Sequence, residues 1–87
     1  MPYTEQKDRP KVNEAVNLNQ IDSWTAGDLT YGLTRLIFGW FKGHGKSFLN
    51  GAIVIGCLIC TALEFYRRVL APYEDKKISK NGDVYDT

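Results

Sequence analysis

The sequence predicts an all-α protein with a single small domain. Its 87 residues leave room for one hydrophobic core, and no run alternates apolar and polar residues over the length of a strand. Apolar residues recur instead at helical spacing within residues 26–42 and 47–71. No acidic residue lies between Asp28 and Glu64, so this middle part is expected to form the centre of the protein and the two ends its solvated flanks.

The composition argues against several classes of function. Lys and Arg number 11 against 10 Asp and Glu, and a net charge of +1 argues against a protein that binds nucleic acid through bulk charge. A charged fraction of 24% and an aromatic fraction of 13% argue against disorder of the whole chain. Barrels and doubly wound sheets need about twice this length or more, so most large catalytic scaffolds are excluded as well.

Residues 1–24 are predicted to form a polar arm that contains a short helix. Pro10 can open that helix, because the first N–H groups of a helix have no acceptor within it. The chain begins with polar residues and not with a basic and apolar secretory signal. Its two cysteines lie within an apolar stretch, unlike a secreted disulfide framework. We therefore expect a cytoplasmic location.

The first long helix is predicted over residues 26–42. Thr25 and Asp28 have the spacing of a capping box, with an aspartate in place of the usual glutamate. Six apolar residues then follow on one stripe: Leu29, Leu33, Leu36, Ile37, Trp40 and Phe41. Gly43 is expected to end the helix in the left-handed conformation.

The second long helix is predicted over residues 47–71. Ser47 or Asn50 can start it. Pro72 is expected to end it at or near Ala71, because the residue before a proline is disfavoured in the helical region. A separate short helix is then predicted over residues 72–82.

The C-terminal segment carries signals for that short helix and its end. Pro72 suits its first turn, acidic residues lie near its start and lysines near its end. Asn81 and Gly82 are expected to stop it. Residues 83–87 form a tail that would be ordered only if Val84 or Tyr85 docks.

Residues 26–42 and 47–71 are predicted to pack as an antiparallel hairpin. The second helix is apolar nearly all round, so the N-terminal helix, another subunit or lipid must cover its second side. We expect a homodimer to supply that cover. A membrane span is less favoured, because the uncharged run over residues 47–63 is just under spanning length and contains polar residues such as Asn50 and Thr61.

Two motifs suggest chemistry that the rest of the sequence does not support. Gly-Lys-Ser at residues 45–47 resembles the end of a phosphate-binding loop, but the first glycine of that loop would fall at Trp40, and the preceding segment predicts a helix. Cys57 and Cys60 have redox or metal spacing, yet they lie well inside an apolar helix and are interpreted as buried small hydrophobic residues. His44 is interpreted as a solvated turn residue. No catalytic residue, metal or cofactor is assigned.

Polar residues near the end of the second helix are the candidates for an interaction site. Glu64, Arg67 and Arg68 have the spacing of a helix-surface ion-pair group. The functional alternative is a polar site in which Glu64 meets Arg35 or Tyr66 from a packed neighbour. Tyr73 belongs to a C-terminal segment that could dock on a partner. The candidate site residues are Arg35, Glu64, Arg67, Arg68 and Tyr73.

Small residues recur every fourth position in the apolar helix, at Ala52, Gly56 and Cys60. Such a ladder lets two helix backbones approach closely. It is predicted to serve helix packing, within the hairpin or across a two-fold axis.

Several stretches resemble one family of short, uncharacterised proteins found in bacteriophages and phage-rich environmental sequence. The most specific are LEFYRRVLAPYEDKK at residues 63–77 and NGDVY at residues 81–85. Pro2 and Tyr3, and GDLTYGLTRLI at residues 27–37, are similar to the same family. The resemblance covers more than half of the chain and implies no activity or catalytic residue.

We therefore expect a non-enzymatic accessory or structural protein of a phage, acting in the host cytoplasm through an unidentified protein partner. Two alternatives remain open. One is a nucleotide-binding or nucleotide-processing helical dimer that uses Glu64, Arg67 and Arg68 in a cleft between subunits. The other is a small membrane protein with one span.

Overall fold

The structure, a computed structural model, describes residues 4–16 and 20–85, and its regular elements are all helical. The helices in chain order are α1 (Arg9–Val16), α2 (Ala26–His44), α3 (Phe48–Phe65) and α4 (Ala71–Asn81). A 3-10 turn (Gln6–Asp8) precedes α1, and a π-helical segment (Tyr66–Leu70) joins α3 to α4. The all-α prediction is confirmed. Residues 1–3 and 17–19 of the predicted arm, and 86–87 of the tail, lie outside the described residues.

Helix α1 confirms the short N-terminal helix. Pro10 lies in its first turn, where the absent N–H leaves no acceptor unpaired. The side chain of Arg9 donates to the carbonyl of Thr4 at 3.2 Å, which ties the preceding residues to the start of the helix.

The start of α2 is a reciprocal capping box, as predicted. The backbone N–H of Asp28 donates to Oγ1 of Thr25 at 3.1 Å, and the backbone N–H of Thr25 donates to Oδ2 of Asp28 at 3.1 Å. The carboxylate also lies in the first turn, at the positive end of the helix dipole. Two polar side chains three residues apart are therefore enough to set this boundary.

The predicted end of α2 at Gly43 is wrong. The helix continues to His44, and Gly45 is the glycine with positive φ, at 117°. The ring of His44 stacks on that of Trp40, with centroids 4.0 Å apart, and its Nδ1 lies 3.0 Å from the carbonyl oxygen of Trp40. Both contacts join residues that are one helical turn apart. They stabilise the last turn of α2, which ends one residue after Gly43.

The turn between α2 and α3 is held by Ser47 and Asn50. Ser47 caps α3 by accepting from the backbone N–H of Asn50 at 3.1 Å, so the predicted start at Ser47 is confirmed. The side-chain amide of Asn50 donates to the carbonyls of His44 and Gly45, at 3.2 and 2.9 Å. Asn50 thus satisfies carbonyls at the end of α2, which the helix itself leaves unpaired.

The predicted helix end before Pro72 is also wrong. Residues Phe48–Asn81 form one uninterrupted helix of 34 residues, about 50 Å long at 1.5 Å per residue. Proline cannot donate to the carbonyl four residues back, and its ring clashes with that carbonyl. The π-helical segment relieves this clash, because its wider turn lets Ala71 donate to Tyr66, five residues back. The helix ends where predicted, at Gly82, which has a φ of 86°.

The chain divides into two compact units, Met1–Gly39 and Trp40–Thr87. In the first unit, the indole of Trp24 covers Gly32: two ring carbons lie 2.6 and 2.9 Å from where a Cβ at Gly32 would be. The antiparallel packing of α2 on α3 stays a prediction.

In the second unit, α3 is covered on one side by the ring of Phe41. That ring lies 3.8 Å from where a Cβ at Gly51 would be. Phe41, Gly51, Val54 and Leu58 are all half-buried. Across the described parts of both units, no side chain is fully buried. The described helices therefore carry apolar surface that is not enclosed within their own units.

Candidate functional site

Three of the five predicted site residues form one polar cluster at the junction of α3 and the π-helical segment. Nη2 of Arg67 lies 3.2 Å from both carboxylate oxygens of Glu64, and Nη1 of Arg68 lies 3.7 Å from Oε1. The helix positions these groups one turn apart, as their spacing predicted. The side chain of Glu64 is 29% exposed, whereas those of both arginines are more than 60% exposed. The ion-pair interpretation is confirmed.

The cluster holds Glu64 in its ionised form. The hydrogen bond from Arg67 is the main cause that lowers the pKa of Glu64 below its usual value, and the charges of Arg67 and Arg68 act in the same direction. Partial desolvation opposes this shift and is outweighed. Glu64 is thus a paired carboxylate at neutral pH, a state that suits ionic contacts and not proton donation.

Tyr66 and Glu74 form a second polar pair, which spans Pro72. The hydroxyl of Tyr66 donates to Oε2 of Glu74 at 2.9 Å. That hydrogen bond is the main cause that raises the pKa of the Tyr66 phenol. The pair depends on the π-helical segment. Two turns of a regular α-helix span about seven residues, and the extra residue of a π-helical turn brings positions eight apart onto the same face.

The remaining two predicted site residues lie on other helices. Tyr73 is on α4, 58% exposed, and Nζ of Lys77 lies 5.6 Å from the centroid of its ring. This is the geometry of a cation–π contact one turn along the helix. Arg35 is on α2, in the first unit. The arginines that contact Glu64, Arg67 and Arg68, follow it on the same continuous helix.

The small-residue ladder lies on an uncovered side of α3. Ala52, Gly56 and Cys60 are all exposed, and a Cβ built at Gly56 meets nothing within 4 Å. Cys57 and Cys60 are free thiols, and both are exposed. The prediction that the cysteines are buried is wrong, because no part of the chain that the structure describes covers them. Within residues 4–16 and 20–85, no three His, Cys, Asp or Glu side chains are grouped to hold a metal ion.

Sequence reasoning missed the observed contacts of three polar residues. Asn50 was considered as a possible start of the second helix and as a polar residue within the apolar run, whereas its spacing with Ser47 could have indicated that its side chain bonds across the turn. The pairing of Tyr66 with Glu74 had no local signal, because it requires a helix that continues through Pro72.

Among the described residues, the helix Phe48–Asn81 is long and apolar enough to cross a membrane, by its length and composition. No residue in the most apolar part of this helix is buried. A helix that packs against other protein chains is expected to have the same length and composition. These properties therefore identify an exposed apolar surface that either lipid or protein could cover.

The helices, the capping contacts and the paired polar side chains define the class: a small all-α domain. The family model described as "Domain of unknown function (DUF6899)" matches residues 1–84, and the chain belongs to that family. No curated protein and no solved structure matches the chain. The prediction that the chain belongs to a family of unknown function is thereby confirmed.

Proposed function

We propose that the protein is a non-enzymatic accessory protein that works by assembling, through its long helix, with other polypeptide chains in the cytoplasm. One observation carries the proposal: exposed apolar side chains recur along the helix from Phe48 to Ile78. In α3, Leu49 and Leu63 are 68% and 63% exposed. Burial of such side chains is the main favourable term in association.

The distribution of this apolar surface favours protein over lipid as its cover. The uncharged part of the helix, residues 48–63, spans about 24 Å, less than the roughly 30 Å of a hydrocarbon core. Exposed apolar residues continue beyond the charged cluster of Glu64, Arg67 and Arg68: Val69, Leu70 and Tyr73. A bilayer around α3 would leave these outside, whereas a partner helix can follow the full length.

The charged cluster is better suited to contact than to catalysis. Glu64 is paired with two arginines of its own helix and keeps its charge. A nucleotide-processing site would need these groups in a cleft that brings a substrate to them. An exposed helix surface favours the role of a polar border beside an apolar contact.

We further propose that the protein is of phage origin, on the basis of the resemblance of residues 63–77 and 81–85 to phage proteins. Such a protein would act in the cytoplasm of the host. The first partner to test is a second copy of the chain, because it is present wherever the protein is expressed.

The experiment is light scattering during size exclusion of the chain purified without detergent. We expect a discrete mass above 9.9 kDa, and we expect Leu63→Lys to lower it toward that of a single chain, since a charge would enter the contact. Thr61→Lys is the matched control, because Thr61 already bonds its hydroxyl to the carbonyl of Cys57 at 2.7 Å and is polar. A stable, monodisperse single chain would refute the proposal.

A membrane span is the second candidate, because Phe48–Asn81 meets the length and composition of a spanning helix. It makes a different prediction for the same preparation. The chain would stay with membranes after alkaline extraction and would need detergent for purification. Recovery in the soluble fraction without detergent would exclude this candidate and keep the first.

A further inference from the structure

We propose that α3 binds α3 of a second copy in antiparallel orientation, with Gly56 at the crossing point. The proposal rests on the assembly function above and names its partner and geometry. It is carried by the position of the uncovered face, by the symmetry of the residues on that face and by the charges at its two ends.

The two sides of α3 differ in how they are covered. Gly51, Val54 and Leu58 are half-buried, and Phe41 lies against this side at Gly51. At about 100° per residue, these three positions centre on the side opposite Gly56. The face centred on Gly56 is the open one, and a Cβ there would meet nothing within 4 Å. Within the second unit, the described residues therefore cover one face of α3 and leave the opposite face exposed.

The open face reads the same in both directions from Gly56. Isoleucines stand three residues before and after it, small residues four before and after, and leucines seven before and after. These pairs are Ile53 and Ile59, Ala52 and Cys60, and Leu49 and Leu63. All seven positions fall within a sector of about 120°.

Such a face is complementary to itself across a two-fold axis through Gly56. Each residue then meets its counterpart of similar size on the other copy, as an isologous interface requires. The glycine at the centre lets the backbones approach, and the small pair on either side keeps them close. In a parallel pair, the symmetry of the face about Gly56 would have no role.

Charge at the ends of the face favours the same orientation. Antiparallel pairing sets the two copies' clusters of Glu64, Arg67 and Arg68, each with one carboxylate and two guanidinium groups, at opposite ends of the face. Parallel pairing would instead bring Arg67 and Arg68 beside the same arginines of the other copy, which is unfavourable.

Cysteine cross-linking distinguishes the two orientations. The test variant is Ala52→Cys with Cys57→Ser, which keeps Cys60; the control carries Cys57→Ser alone. Antiparallel pairing places residue 52 against residue 60 of the other copy, within the Cα distance that a disulfide needs. Within one chain these positions are about 12 Å apart and cannot be joined. We expect a disulfide-linked dimer of the test variant under mild oxidation and at least tenfold less of it from the control.

Equal cross-linking of the control would show Cys60 against Cys60 and overturn the antiparallel orientation. Absence of cross-linking in both variants would overturn the proposed face. If light scattering still reports a dimer in either case, the assembly function survives and only this geometry fails. A single chain by light scattering would remove both proposals.

A second pair of variants tests the crossing point without cysteine chemistry. Gly56→Leu is expected to weaken self-association at least tenfold, because its side chain would separate the two backbones. Gly39→Leu is the matched control, since Gly39 is also helical and a Cβ there meets nothing within 4 Å. Both leucines favour the helix over glycine, so loss of folding is not expected. Unchanged association of Gly56→Leu would overturn the crossing at Gly56.

Discussion

At neutral pH, Glu64 carries its charge while Tyr66, two residues away, keeps its proton. Hydrogen-bond partners on the same helix reinforce these states: Arg67 lowers the pKa of the Glu64 carboxylate and Glu74 raises the pKa of the Tyr66 phenol. Because the pKa of Glu64 is lowered on folding, its stabilising contribution is present above the ordinary value of 4.5 and is lost as the pH falls through the folded value.

Arg67→Gln is expected to raise the pKa of Glu64 toward its ordinary value, because the main cause of the shift is removed. The carboxyl carbon resonance of Glu64 followed by NMR over an acid titration measures this. Arg68→Gln is the control, with a smaller expected rise, since Arg68 contributes only a more distant charge. An equal shift in both variants would contradict the assigned hydrogen bond.

Gly32→Ala is expected to displace the indole of Trp24, because the added methyl would occupy space that the ring fills at 2.6 Å. In a Trp40→Phe background, the fluorescence of Trp24 should shift to longer wavelength as the ring becomes more exposed. Gly39→Ala is the matched control on the same helix, where a methyl has room. Both changes gain up to about 1 kcal/mol of helix propensity, so Gly32→Ala should stabilise α2 less than the control does.

At the scale of elements, the π-helical segment explains how one helix passes a proline. Its wider turn accommodates Pro72, which has no N–H to donate. The extra residue in that turn also aligns Tyr66 with Glu74. The hydrogen bond between those side chains then holds the two helical parts together across the proline. Backbone geometry and side-chain pairing support each other here.

Pro72→Ala is expected to convert the π-helical segment to regular α-helix and to separate Tyr66 from Glu74. Since Glu74 raises the pKa of Tyr66, loss of the pair should lower that pKa toward 10.0. NMR titration of the labelled tyrosine ring measures the change, and Glu74→Gln should have the same effect. Pro10→Ala, in the first turn of α1, is the control and should leave Tyr66 unaffected. An unchanged pKa in Pro72→Ala would show that the alignment does not depend on the proline.

At the scale of the molecule, the described residues place no side chain fully inside. Apolar burial is the main stabilising term, so the proposed assembly would supply much of it for a chain of this composition. Under that proposal, folding and assembly are coupled, and stability depends on protein concentration.

The melting temperature, followed by circular dichroism, is therefore expected to rise over a 100-fold increase in protein concentration. Gly56→Leu should flatten this dependence, and Gly39→Leu should preserve it. A melting temperature independent of concentration in the unsubstituted chain would contradict coupled folding and assembly.

Local signals in the sequence were enough for the all-α class, the capping box at Thr25 and Asp28, and the ion pairs of Glu64. Each of these depends on contacts between residues three or four positions apart, and such spacing can be read directly. These features can be predicted from the sequence because the helix itself brings the partners together, without any tertiary contact.

Only the three-dimensional structure decided the path through Pro72, the end of α2 and the exposure of Cys57 and Cys60. A proline disfavours a regular helix, and only the observed backbone shows the wider turn that admits it. An apolar composition predicts that a helix will be buried against a neighbour, but tertiary packing decides which of its faces that neighbour contacts. For α3, the ring of Phe41 reaches the side of Gly51 and leaves the side of Gly56 open, because a single ring can contact only one face of a helix.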